Sequence, residues 1–140
     1  MRVDIAEVNL FINYLSDALN ADNLSFVQGV TTDSRDIKEN DLFLAIKGEN
    51  FDGCDFIDEA LSNGAVYAIT ESVHDSDNVF TVDNVIDFIG KICYKWMAGF
   101  DGKTIAITGS NGKTTTKDLI SHILSKSGYN VSKTEGNFNT

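Results

Sequence analysis

The sequence predicts an α/β protein in two parts: a small mixed α/β domain over residues 1–100, then over 101–140 the first strand-loop-helix-strand unit of a second domain. Three observations carry this. Short β-rich apolar runs alternate with stretches whose apolar residues recur every three or four positions, the mark of strands interleaved with helices. The charge changes near residue 100, with 6 Lys+Arg against 18 Asp+Glu before it and 5 against 3 after it, within a net charge of −10. Just beyond that change, the glycine loop "TGSNGKTT" joins an apolar strand to a helix.

The elements follow in order. Ile5, Val8, Phe11, Ile12 and Leu15 are spaced for an amphipathic helix over about 4–19. The period then changes. "SFVQGV" at 25–30 and "DLFLAI" at 41–46 have strand length and composition, and the polar stretch 31–40 between them reads as a loop. "DFIDEAL" at 55–61 predicts a short helix stopped at Asn63 and Gly64, and "AVYAIT" at 65–70 the strand after it. "VFTV" at 79–82 is a further strand, after which Asp83 or Asn84 caps a helix whose Ile86, Ile89, Cys93, Trp96 and Met97 share a face. Beyond a turn at 100–103 come a strand at 104–108, a loop at 109–113, a helix at 114–127 stopped by Gly128, and a strand at 130–133. One such unit leaves faces that neighbouring strands and helices would cover, so residues 101–140 are expected to open a larger domain.

Composition excludes several classes. With 140 residues, 42% of them hydrophobic, the chain has material for a real core. The acidic first hundred residues argue against nonspecific nucleic-acid binding, which depends on Lys and Arg neutralising phosphates. Cys54 and Cys93 lie far apart without a CxxC pair or a His/Cys cluster, so neither a disulfide framework nor a zinc site is indicated, and a reducing cytoplasm is the expected compartment. The first residues lack the basic flank and apolar core of a leader, and no run approaches the roughly 20 apolar residues that span a bilayer.

The loop at 109–113 has chemistry of its own. The common phosphate loop places four residues between its glycines, whereas Gly109, Ser110, Asn111 and Gly112 leave only two, so the match is to a shorter variant. The physical needs are still met. Gly109 and Gly112 let the backbone approach a phosphate, N–H groups at a helix start point at negative charge, and Lys113 supplies a cation. Thr114 offers a hydroxyl suited to the Mg2+ that bridges phosphates. A glycine-rich turn before an N-capped helix is the bland alternative, weakened by the β-rich 104–108 and helical 117–124 that flank it.

"TGSNGKTTTKDLI" followed by "KTEGNFNT" resembles the ATP-binding segment of the Mur ligases, the amide-forming enzymes of peptidoglycan precursor synthesis, whose loop has the form G[ST]xGKT. Upstream, "TTDSRDIKENDLFLAIKGENFDGCDFIDEALSNGAVYAI" looks like the first domain of that family, and the resemblance covers nearly the whole chain. It implies a UDP-substrate-binding domain over 1–100 and the start of the central P-loop ATPase domain over 101–140. Lys117 and the stretch 134–139 point to the member that joins D-alanyl-D-alanine to UDP-N-acetylmuramoyl tripeptide, a step in cell wall biogenesis and hence in cell shape and division. The reaction implied is ATP-driven: the substrate carboxylate becomes an acyl phosphate, which the dipeptide amine displaces. By position, Gly109, Ser110, Asn111, Gly112, Lys113, Thr114 and Thr115 would hold ATP, with Lys113 catalytic and Thr114 toward Mg2+. Asn137 and Asn139 match a loop near the reacting groups. The UDP-sugar substrate would meet Thr32, Ser34, Arg35 and the turn of Lys47, Gly48, Glu49 and Asn50. A monomer is expected.

Departures from the family pattern matter too. Cys54 stands where histidine is common, and a small buried thiol is the expected role over a reactive one. Glu39 and Asn40 replace a frequent Pro-Gly turn, and His122, four residues after Asp118, is expected in a surface ion pair. Ser34 and Arg35 have the alternative of merely tying down their loop. Residues that the family places later would complete the metal and adenine sites, so the chain reads as an N-terminal piece, inactive alone. Three other readings stay open: a stand-alone module binding UDP-muramoyl peptide without turnover, another Mur ligase such as the one adding the third peptide residue, and an unrelated phosphate-loop kinase or GTPase.

Overall fold

The structure, a computed structural model, describes residues 2–48 and 52–134. The chain divides into two compact units, Met1–Phe100 and Asp101–Thr140.

The first unit is built on a five-stranded mixed sheet. Its strands β1 (Arg2–Asp4), β2 (Gly29–Thr31), β3 (Asp41–Leu44), β4 (Ala65–Thr70) and β5 (Val79–Thr81) lie side by side in chain order. β1 runs antiparallel to β2, and the other neighbours are parallel. The helices are α1 (Val8–Leu19), α2 (Ile57–Ser62) and α3 (Val85–Ala98). Side chains alternate between the faces of a strand, so each central strand feeds two cores. Leu42, Leu44, Tyr67 and Ile69 pack with Phe11 and Leu15 of α1 and with Val85, Phe88 and Ile92 of α3. Phe43, Ala45, Ala65 and Ala68 pack on the opposite side with Ile57 and Ala60 of α2. A strand buried on both faces reads as a continuous apolar run, which is why "DLFL" and "AVYAIT" stood out.

The first residues depart from expectation. The helix begins at Val8 rather than near residue 4, and residues 2–4 form β1 instead. Ile5 supplied the helical spacing, yet its N–H donates to the Gln28 carbonyl at 2.9 Å and extends the pairing of β1. Arg2 explains the choice. Its Nε and Nη2 donate to the two carboxyl oxygens of Asp41 at 2.6 and 2.8 Å, and the Lys38 N–H donates to the same carboxylate at 2.8 Å. Asp41 is fully buried, and hydrogen bonds from Arg2 to Asp41 and then Asp4 raise the guanidinium pKa above its ordinary value. The fork needs space: a Cβ on Gly29 would lie 2.5 Å from Arg2 Nη2 and 2.6 Å from Asp41 Oδ1.

Turn chemistry follows the sequence more closely. Asn84 caps α3 by accepting from the Asp87 N–H at 2.8 Å, and Gly64 has φ +111° beyond α2. Asn40, in the altered turn before β3, adopts φ +64°, a left-handed conformation that Asn tolerates better than most residues with a Cβ.

In the second unit, α4 spans Lys113–Lys126, close to the expected helix, and Gly128 follows it at φ +89°. The strands expected at 104–108 and 130–133 are absent among the described residues. A strand exists through hydrogen bonds to a neighbouring one, and among the described residues neither segment has such a partner. No residue of α4 is buried, and its apolar Leu119 and Ile123 are exposed.

Candidate functional site

In the first unit a cleft of about 420 Å³ is lined by the loop residues Thr32, Asp33, Ser34 and Arg35 with Phe43, Gly53, Phe56 and Glu59. It lies where β2 and β3 end, the carboxyl edge of parallel strands at which open α/β sheets hold ligands. Its loop is shaped by short polar side chains. Buried Thr31 Oγ1 accepts the Asp33 N–H at 3.1 Å, and Asp33 then caps a single 3-10 turn, Ser34–Asp36, by accepting the Arg35 N–H at 3.1 Å. Ser34 is buried; its Oγ donates to Glu59 Oε2 at 3.3 Å, and Asn63 Nδ2 donates to its carbonyl at 3.2 Å. Gly53 closes the other wall. Its N–H donates to the Ile46 carbonyl at 3.1 Å, and a Cβ there would come within 2.6 Å of the same oxygen.

The structure therefore gathers Thr32, Ser34 and Arg35 on one wall of one cleft. Arg35 also ties its own loop, donating from Nε and Nη2 to Asp33 at 2.8 and 2.7 Å. That hydrogen bonding, foremost from the Arg35 side chain, holds the Asp33 carboxyl well below the usual carboxylate range and raises the Arg35 pKa in turn. Lys47 is not among the lining residues; its Nζ lies 3.8 Å from Asp52. Asn137, Asn139 and the turn residues Glu49 and Asn50 lie outside the described residues. Asp33, Phe43, Gly53, Phe56 and Glu59 escaped the sequence reading of the site. The run "FDG-C-DFI" was visible as a pattern, but only the fold carries it to the loop at 32–35. Cys54, beside Gly53, is half-buried with Sγ 2.9 Å from Thr70 Oγ1.

In the second unit, the loop before α4 presents backbone rather than side chains. Gly109 and Gly112 have φ +150° and +76°, where a Cβ would be strained, and nothing lies within 4 Å of a Cβ built on Gly112. Conformation, not crowding, asks for glycine there. The Thr116 N–H makes a helical bond to the Gly112 carbonyl at 2.9 Å, so the N–H groups of Lys113, Thr114 and Thr115 have no acceptor in the helix. No side chain caps this end and no acid occupies the first turn. Lys113 Nζ reaches back over the loop to the Gly109 carbonyl at 2.6 Å. Ser110, Asn111, Thr114 and Thr115 are exposed around it. These groups form a donor-rich, acid-free end that suits a polyphosphate. Thr114 supplies the one hydroxyl assigned to Mg2+, and among the described residues no group of three His, Cys, Asp or Glu converges anywhere. Mg2+ commonly keeps several waters and takes one or two protein ligands, so the donor set fits it. The expected pairing of Asp118 with His122 does not form. Asp118 instead takes Lys133 Nζ at 2.6 Å, which lowers its pKa, because residue 133 returns alongside the helix.

Comparison with known proteins gives this geometry a family. Residues 26–91 match the Mur ligase family, catalytic domain, and residues 107–140 the Mur ligase middle domain. The UDP-N-acetylmuramoyl-tripeptide--D-alanyl-D-alanine ligase of Synechocystis sp. is 37% identical over 99% of this chain and 31% of its own length. The UDP-N-acetylmuramoyl-L-alanyl-D-glutamate--2,6-diaminopimelate ligase of Rickettsia typhi is 38% identical over 67% of this chain and 20% of its own. Among solved structures, that of MurF ligase from Thermotoga maritima in complex with ADP superposes with a TM-score of 0.71 at 42% identity, covering 79% of this chain and 26% of that one. The chain thus spans a third or less of the length of these relatives. No helix among the described residues is long and apolar enough to cross a membrane. With two successive domains of one family matched in order along more than two thirds of its residues, the chain belongs to the Mur ligase family.

Proposed function

We propose that this chain is the N-terminal part of a cytoplasmic ATP-dependent amide ligase that adds D-alanyl-D-alanine to UDP-N-acetylmuramoyl tripeptide in peptidoglycan precursor synthesis. The observation that carries the reading is the exposed start of α4, where free backbone N–H groups, an αL Gly112 and Lys113 meet with no acid in the first turn. That the Thermotoga maritima relative was solved in complex with ADP supports an adenine nucleotide as a ligand of this chain. Addition of the dipeptide, rather than of diaminopimelate, is supported by the Synechocystis relative, which matches along nearly the whole chain.

In this reading residues 1–100 hold the UDP substrate, with the cleft beside Thr32, Ser34 and Arg35 as its seat, and residues 101–140 open the ATP-binding domain. ATP supplies the activation that turns a carboxylate into an acyl phosphate, from which the amine releases phosphate as the amide forms. The protein's own part lies in the loop. The N–H groups of 113–115 would hold the phosphates, the Lys113 ammonium would offset negative charge on them, and the Thr114 hydroxyl would serve as a ligand to Mg2+. Charge placed in advance in this way acts most strongly as charge develops, so Lys113 is the residue whose loss should hurt turnover most. Asn137 and Asn139 are assigned to the neighbourhood of the reacting groups, and Lys47 to the outer part of the UDP substrate. The 140 residues alone would bind substrate without turnover, as a monomer.

The test is phosphate release by the full reading frame that carries this chain, requiring both UDP-muramoyl tripeptide and D-alanyl-D-alanine. Lys113→Ala should lower kcat by about two orders of magnitude or more with little change in the KM of the UDP substrate. Retained turnover in that variant would refute the role of Lys113. Turnover with diaminopimelate in place of the dipeptide would move the chain to the other branch of the family.

A further inference from the structure

The chain has two arginines, and Arg2 is committed to Asp41, so Arg35 is the arginine available to a ligand in the cleft. It is not freely available. Asp33 Oδ1 accepts both the Arg35 N–H and Nε–H, and Asp33 Oδ2 accepts Nη2–H. Glu59 lines the same cleft, so one cation there stands with two carboxylates. Two of the five guanidinium N–H donors are spent on Asp33, and three remain for another acceptor. The ion pair therefore need not break to admit a phosphate. Its charge nonetheless cancels most of the attraction that Arg35 would offer, and a small free anion would find no net positive field.

We propose that Asp33 acts as an internal counter-anion that withholds Arg35 from free phosphates, so that the cleft takes a diphosphate only when an attached ring fills the space beside Phe56. This rests on the nucleoside diphosphate placement proposed above and adds what selects it. Affinity comes from the ring and orientation from the arginine, while the carboxylate sets a penalty that an anion without a ring cannot overcome. A cell holds many soluble phosphates, and the device keeps them out of a site that must carry an arginine.

The experiment uses the 140-residue chain and its Asp33→Asn, Asp33→Ser and Arg35→Ala variants. Asn and Ser both keep a side-chain acceptor for the turn at Ser34–Asp36, so the loop retains its cap. UDP, uridine and inorganic pyrophosphate are titrated separately while the backbone N–H of Ser34 and Arg35 are followed by NMR, so that anions bound elsewhere are not counted. Both Asp33 variants should bind UDP about fivefold more tightly and acquire a pyrophosphate response absent from the wild type, with uridine affinity unchanged. Arg35→Ala should weaken UDP and leave uridine alone. Weaker UDP binding in the Asp33 variants would overturn the inference by showing that the carboxylate positions the arginine. Equal tightening of UDP and uridine would overturn it as well, since a charge effect must spare the neutral ligand. Failure of UDP to bind the wild type would instead remove the substrate reading, and the inference with it.

Discussion

Residues 65–70 and 104–108 have nearly the same character, "AVYAIT" and "TIAIT", and opposite fates. The first becomes β4, paired on both sides and almost wholly buried; the second forms no strand and is mostly exposed. The helices repeat the contrast. α3 buries Val85, Phe88 and Ile92 against the sheet, whereas α4, of the same 14 residues, buries none. Apolar pattern states what a segment would do if partners were present. Neighbours decide whether it does.

Four measurements test how deep the contrast runs. Ile69→Ala, at a fully buried site of β4, should cost about 2–5 kcal/mol in urea unfolding, while Ile123→Ala on exposed α4 should stay within about 0.5 kcal/mol. Equal costs would mean that the second unit is packed as well as the first. Next, Asp41→Ala should destabilise the first unit by about 3 kcal/mol, since it takes from Arg2 its buried partner and leaves only the exposed Asp4; Asp118→Ala, which removes only an exposed pair with Lys133, should leave the unfolding midpoint unmoved. Hydrogen exchange should find the amides of β3 and β4 protected and those of 104–108 exchanging close to the rate of an open chain. The smallest effect concerns pH. The folded pKa of Asp33 lies below its ordinary 3.8, so its link to Arg35 contributes fully above that value and is lost as pH falls through the lower, folded value. A carbon-detected titration of Asp33 should show its midpoint displaced downward, and Arg35→Ala should bring it part of the way back, since the backbone N–H of residue 35 still donates to the carboxylate.

Legibility followed the same division. The central strands could be read because burial on two faces writes itself as run length; α3 was legible as a helix but not in its facing, since Val85, Phe88 and Ile92 are buried while Ile86, Cys93 and Met97 of the expected stripe are exposed. β1 could not: three residues give no period, and what makes them a strand is their pairing with β2, anchored by an ion pair to residue 41. The phosphate loop was legible because its donors are consecutive in the chain. Only the residues 32–35 of the cleft shared that advantage, and Phe43, Gly53, Phe56 and Glu59 joined them through tertiary placement. Asp33 illustrates the finer limit. The sequence shows a carboxylate two residues before an arginine, but not that three donors of Arg35 converge on it.

The tie between Arg2 and Asp41 has a practical consequence. Trimming the first few residues as a dispensable tail would leave a buried carboxylate without its counter-charge and uncover the open border of β2, whose unpaired N–H and C=O groups invite a second molecule to add a strand. Such a shortened protein should clump as it is made, and the cause would be sought, wrongly, in the sparsely packed far end of the chain.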